Sequence, residues 1–168
     1  MKKLLISAGA LAALALTTPA AAATPPNQAS ATATVNIVSP ITLANNTPLN
    51  FGTVVGPFNG EVIHVDMAGT RTCPATVTCS AAAASAASFT ITGSKGQTVV
   101  LTMPSSVTLN SGANSLSVDL SGDEPTTNPV LDATTGKATF AIGGKLTIPA
   151  GTVDGLYQNT FDVTANYQ

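Results

Sequence analysis

Apolar and polar residues alternate with a period of two along most of this chain, and the clearest case closes it. In GLYQNTFDVTANYQ, Gly155 to Gln168, one alternate set is Tyr157, Asn159, Phe161, Val163, Ala165 and Tyr167. The intervening set, Gln158, Thr160, Asp162, Thr164, Asn166 and Gln168, is wholly polar. Successive side chains of a strand point to opposite faces, so this stretch is expected to be a half-buried strand. Alternation begins early, at Ala29, Ala31, Ala33, Val35 and Ile37, and Pro40 interrupts it. It resumes at Leu49/Phe51, and at Ile63, Val65 and Met67 set against Val62, His64 and Asp66. Phe89/Ile91, Val99/Leu101/Met103 and Leu116/Val118/Leu120 continue it. The turn signals NNTP, GPFNG, GSKG, NSGANS and TTGK fall between these runs. Short strands at regular spacing with such punctuation predict an all-β, immunoglobulin-like antiparallel sandwich.

Two stretches test the pattern. FAIGGKLTI contains Gly143-Gly144, which invites a two-residue hairpin. A hairpin there would put Leu146 and Ile148 on the face opposite Phe140 and Ile142. As one continuous strand, Phe140, Ile142, Gly144, Leu146 and Ile148 share a face, so the register favours a single strand with a glycine kink. SAAAASAAS, Ser80 to Ser88, has high helix propensity but no apolar stripe to dock, and is expected to form a loop or one helical turn.

Composition changes the picture at the start of the chain. Lys2 and Lys3 precede an uncharged run, Leu4 to Leu16, followed by Pro19 and Ala20 to Ala23. The run is short for a bilayer span and suits a cleaved signal peptide covering residues 1–23. Residues 24–34, rich in Pro, Ser and Ala, are then a flexible extension, and 35–168 the sandwich domain. The product is expected to be exported to the periplasm, the cell surface or the medium, with no membrane segment in the mature chain. Without the two leader lysines, Arg71, Lys95, Lys137 and Lys145 stand against eight acids. That balance lacks the basic footprint a nucleic-acid partner requires. A chain so poor in charge and rich in hydroxyls is also prone to associate.

Chemistry-bearing residues are few. Cys73 and Cys79, in TCPATVTC, can pair in an oxidising compartment and close a small loop. Zinc would need further ligands, and the chain has one His and two Cys. His64 is that histidine, and any Ser-His-Asp mechanism must pass through it. It shares a strand face with Asp66, its candidate acid–base partner, although an outward, solvated histidine is the plainer reading. Asp119, Asp123, Glu124 and Asp132 crowd an acidic segment that matches no EF-hand, so a solvated loop is expected rather than calcium. Phe58, in GPFNG, is the ring expected nearest a loop tip. No nucleophile elbow, phosphate loop or metalloprotease helix is present, and neither catalysis nor a cofactor is expected.

The closing stretch carries a resemblance. Gly155 is fourteenth from the end, counting Gln168 as first, and Tyr167 is penultimate. With Tyr157, Phe161 and Val163 between them, these residues resemble the C-terminal motif of chaperone–usher pilus subunits. LNFGTV and GLYQNTFDVTANY are similar to segments of spore coat protein U-type pilins, with Asn159 where Asp is usual. The order SPITL, LNFG, FAIGGKL and GLY…ANY resembles domain-of-unknown-function family 4402, an exported bacterial family. The pilin likeness implies a structural subunit of a fibre or coat whose partners are like subunits and a periplasmic chaperone. Gly155, Tyr157, Phe161, Val163 and Tyr167 would then form the partner-binding strand, read by β-augmentation. Ala29, Ala31 and Ala33 would be the candidate donor strand. Each alanine buries little, against ~1.5–3 kcal/mol for a large side chain. The pilins' inter-strand disulfide is missing, with Ser39 roughly where its first cysteine would stand. The alternatives are a sandwich that closes itself and stays monomeric, and a self-contained adhesive or ligand-binding module.

Overall fold

The computed structural model describes residues 27–80 and 84–168. The predicted leader, residues 1–23, and the first residues of the extension lie outside the described residues. Met1–Asn36 and Ile37–Gln168 are separate units, and the strands belong to the second. In chain order they are β1 (Thr42–Thr47), β2 (Val54–Val55), β3 (Glu61–Val65), β4 (Arg71–Thr72), β5 (Thr78–Cys79), β6 (Ala87–Thr92), β7 (Val99–Thr102), β8 (Ser106–Ser111), β9 (Asn114–Asp119), β10 (Lys137–Ile142), β11 (Gly144–Ile148) and β12 (Thr164–Tyr167). None of the described residues is helical, so no helix among them is long and apolar enough to cross a membrane.

Two antiparallel sheets make the sandwich. One has the order β1-β6-β10 and the other β4-β3-β11-β9-β8, with two-stranded pairings β12-β7 and β2-β5 beside them. The period-two residues supply the core. Ile63 and Val65 of β3, Ile91 of β6, Val118 of β9 and Ile142 of β10 are all fully buried. Alternate strand positions face the opposite sheet, and β-branched side chains fill that space without losing rotamers they would otherwise use. Phe89 and Phe140 sit opposite each other in the β6–β10 ladder and stack with ring centroids 5.1 Å apart.

The structure corrects FAIGGKLTI. Phe140, Ile142, Gly144, Leu146 and Ile148 are all buried, as a shared face requires. They do not form one strand. β10 pairs with β6 in the first sheet, while β11 lies between β3 and β9 in the second. The chain crosses between sheets at Gly143. A Cβ there would run into the Val65 carbonyl oxygen, so only glycine fits the crossing. The amide of Gly143 donates to the Asp123 carbonyl at 2.7 Å, so the group freed by leaving the ladder is paired.

The closing strand is also shorter than its pattern. Only Thr164–Tyr167 is continuous strand, paired with Val99–Thr102. Upstream, Gln158 makes an isolated bridge to Asn110 of β8, and Asn159 Nδ2 donates to the Thr108 carbonyl at 2.8 Å. β7 and β8 are separated only by Met103–Ser105, and Pro104 in that gap cannot donate to a ladder. The terminal stretch therefore follows the β7–β8 line and detaches across its middle. Its burial still alternates: Phe161, Val163, Ala165 and Tyr167 are half-buried and the residues between them exposed. Asn159, in the apolar phase, is exposed. Met67 is a further departure: it lies past the end of β3, in a turn, and is exposed. Of Ser80–Ser88, residues 81–83 lie outside the described residues; Ser85 bridges to Asn50, and Ala87 begins β6.

Candidate assembly site

β1 is hydrogen-bonded to β6 alone and β12 to β7 alone. Each therefore presents an outer backbone edge that no described strand covers. Contacts at both ends set these edges alongside each other. At the first, the Tyr167 hydroxyl donates to the Ser39 carbonyl at 2.6 Å and accepts from the Ser94 amide at 2.7 Å. The Ser39 amide donates to Ser94 Oγ at 2.6 Å, so Ser39 is held on both sides. The phenol reaches this point because residue 93 is glycine; a Cβ there would collide with its oxygen.

At the second end a cavity of about 370 Å³ opens between the sheets. Asn45, Pro48 and Leu49, at and after the end of β1, form one wall, and Asn159–Asp162, before β12, the other. Its floor includes Phe51, Phe89, Val107 and Leu109. β1 and β12 thus run in opposite directions along one side of the sandwich, with an apolar cleft between them and no ladder joining them. Such an edge pair is a template for an added strand.

The residues expected in the partner strand divide accordingly. Phe161 walls the cavity, Val163 packs on the core, and Tyr167 holds Ser39. Gly155 is exposed, and Tyr157 lines a second cavity of about 540 Å³ with its hydroxyl donating to the Val153 carbonyl. Ala29, Ala31 and Ala33 are exposed, as is every residue from Asn27 to Pro40. The exposed stretch includes two large apolar side chains in the same alternate phase, Val35 at 83% and Ile37 at 86%. Sequence reasoning noted Ser39 only as the place of a missing cysteine and gave no role to Ser94, Pro48 or Leu109, whose signal was neighbourhood in space.

A staple beside the cavity keeps Phe51 in place. Cys73 and Cys79 are bonded, with Cα atoms 6.5 Å apart, and Val77 inside their loop is buried. Arg71 Nη1 donates to the Phe51 carbonyl at 2.7 Å, and Nη2 donates to the Ser80 carbonyl. Phe51 and Leu49 each line both cavities. Phe58 lies in the middle of the loop between β2 and β3, with its ring half-buried against the core and lining the second cavity.

The carboxylates of the acidic segment are held by separate partners. Asp123 is 6% exposed, and its Oδ1 lies 2.8 Å from His64 Nε2. Lys145 Nζ stands 3.4 Å from Oδ2, an ionic approach longer than a good hydrogen bond. The carboxylate that pairs with His64 is thus Asp123, from a different element, and not Asp66, whose Oδ1 accepts from the Thr70 amide. Asp119 accepts from the Ser121 amide, and Asp132 from the amides of Thr134 and Thr135 and the hydroxyl of Thr135. These bonds favour the charged form. The Ser121 amide and hydroxyl, with Lys145 nearby, hold Asp119 below the usual carboxylate range, and Thr135 chiefly does the same for Asp132. Among the described residues no three His, Cys, Asp or Glu converge as metal ligands.

The sequence model of the family described as "Domain of unknown function (DUF4402)" matches residues 41–167, and the chain belongs to that family. The match begins one residue after Pro40, where the exposed stretch ends. No curated protein and no solved structure matches the chain.

Proposed function

We propose, with family membership as the premise, that this protein is a non-catalytic structural subunit of a bacterial surface fibre or coat, assembled by strand complementation. The reading rests on the cleft between β1 and β12. Two unpaired edges flank an apolar cavity, and an incoming strand would satisfy the edge N–H and C=O groups while its alternate side chains fill the cavity. The leader-like start and the low charge support export and association. A periplasmic chaperone would cover the same edge before assembly.

The test is the size of the exported chain in solution, by gel filtration with light scattering, with and without residues 24–38. Higher-mass species that vanish on deletion support the reading. A monomer whose size and stability are indifferent to the deletion would sink it. The second cavity favours another use, a self-contained ligand-binding module built around Phe58. Glycan binding lost on Phe58→Ala would point there instead.

A further inference from the structure

The second cavity, of about 540 Å³, falls within the size of small-molecule sites, roughly 300–1,000 Å³. Its lining reaches the core, because Phe51, Leu116, Leu146 and Ile148 are buried residues that border it. Val55, Val153 and Leu156 border it too, and they are 59%, 55% and 75% exposed. Large apolar side chains that face water thus adjoin a hole lined by buried ones, and an apolar guest would cover both.

Both walls are fixed without a guest. On one side β2 pairs with β5, and the Cys73–Cys79 bond ties β5 down. On the other, Thr152 Oγ1 donates to the Pro149 carbonyl at 2.7 Å and the Tyr157 hydroxyl to the Val153 carbonyl at 2.8 Å. Gly155 lies close on Ser111, whose Oγ a Cβ at residue 155 would strike. A site shaped in advance loses little to ordering when a ligand enters.

The polar groups select the ligand. Asn50 Oδ1 accepts from the Gly52 amide at 2.8 Å, and the hydroxyl hydrogens of Thr152 and Tyr157 are used inside their own loop. A sugar, with many hydroxyls to satisfy, finds few free partners here. Among the described residues that line the cavity, Asp154 alone carries a charge. Its carboxylate is exposed and forms no ion pair with a described residue. An anionic head group would be repelled there and a cationic one attracted. Tyr157 brings an aromatic ring to the same loop, and such rings also attract organic cations.

We infer that the second cavity binds a free single-chain amphiphile with a cationic head, an alkylamine or alkylammonium. Its tail lies on Phe51, Leu146 and Ile148, and its head at Asp154. The inference does not depend on strand complementation, since Asp154 and Leu156 belong to neither open edge.

The experiment titrates three probes into the exported chain by calorimetry, at pH 7 and low salt, each below its micellar concentration. Dodecyltrimethylammonium, dodecyl maltoside and dodecanoate share a tail and differ in the head. Saturable one-to-one binding is expected, tightest for the ammonium probe. Asp154→Asn should weaken that probe about threefold to fivefold, as loss of an exposed ion pair does, and leave the maltoside unchanged. Asp162→Asn removes an equal charge beside the first cavity and should change nothing, which separates the site from attraction to an acidic chain. Leu156→Ala trims an exposed side chain without threatening the fold and should weaken all three probes alike. Absence of saturable binding, tightest binding of the maltoside, or equal losses in Asp154→Asn and Asp162→Asn would each overturn the inference. A chain that polymerises yet binds none of the probes overturns this inference alone and leaves strand complementation standing.

Discussion

The two edges of the three-stranded sheet are finished in opposite ways. At the β10 edge the chain itself steps into the other sheet at Gly143, and the Asp123 carbonyl takes the amide that leaves the ladder. At the β1 edge no described strand crosses or pairs, and the opposing β12 edge is bare as well. The first edge is tied at its Gly143 end by a backbone hydrogen bond and by close packing. The second is tied only at its end, where the Tyr167 phenol and Ser94 Oγ hold Ser39. The crossing turns the Gly143 end of the β10 edge into the other sheet, although β10 itself is hydrogen-bonded to β6 alone, whereas the β1 and β12 edges lie side by side and leave two facing rows of backbone groups. Stability should therefore reside at the β10 edge and association at the β1 edge.

Gly143→Val attacks the closed edge hardest. The obstruction is the Val65 carbonyl in the middle of a sheet, which cannot swing aside as a side-chain tip would. A loss of about 3 kcal/mol, at the upper end of overpacking costs, is expected as a fall in the urea midpoint. Asp123→Asn comes next. It keeps the shape but removes the charge that serves His64 and Lys145, and should cost about 1–2 kcal/mol. His64 and Lys145 are partly exposed and regain water, which holds the cost below that of a fully buried pair. Phe161→Ala tests the open edge. Phe161 is half-buried and faces a cavity that already exists, so about 1 kcal/mol is expected rather than the larger cost of emptying a sealed core. Higher-mass species should fall far more than stability does. A Phe161→Ala chain destabilised as much as Gly143→Val would break the contrast between the edges.

The closed edge was half legible in the sequence. The shared face of Phe140, Ile142, Gly144, Leu146 and Ile148 follows from a period of two, and burial obeys it. The sheet change at Gly143 does not follow, because alternation continues unbroken through a crossing that turns one residue between two inward-facing sheets. Asp123 was unreadable for a different reason: its partners, His64 and Lys145, belong to β3 and β11, brought together by the register His64↔Lys145. At the open edge the phase of Phe161, Val163, Ala165 and Tyr167 was visible, yet the interruption before Thr164 was not. The pairing partner changes from β8 to β7 there, and no residue of the closing stretch records the break at Pro104. The exposure of Val35 and Ile37 also depends on the fold, since the pattern alone joins them as readily to the sandwich as to the arm.

The smallest expected effect lies at neither edge and serves as their control. Asp132 sits in an exposed turn, where its Oδ1 accepts from the Thr134 amide at 2.9 Å, the Thr135 amide at 2.6 Å and the Thr135 hydroxyl at 2.9 Å. These donors, Thr135 first, hold the folded carboxyl below its ordinary range. A carboxyl depressed on folding stabilises the folded state above its unfolded value, and that contribution is lost as pH falls through the lower, folded value. Asp132→Asn should therefore lower the melting temperature slightly at neutral pH, and the gap to wild type should narrow through the acid range. The turn also carries Leu131, which is buried, and receives the Gly93 amide at the Gly136 carbonyl, close to where Tyr167 holds Ser39. The Asp132→Asn chain should keep the wild-type distribution of masses at pH 7, because the backbone bonds of the turn remain. Loss of higher-mass species in this variant, with little change in melting, would show that the turn and the open edge are coupled, and that association is not confined to the β1 and β12 edges.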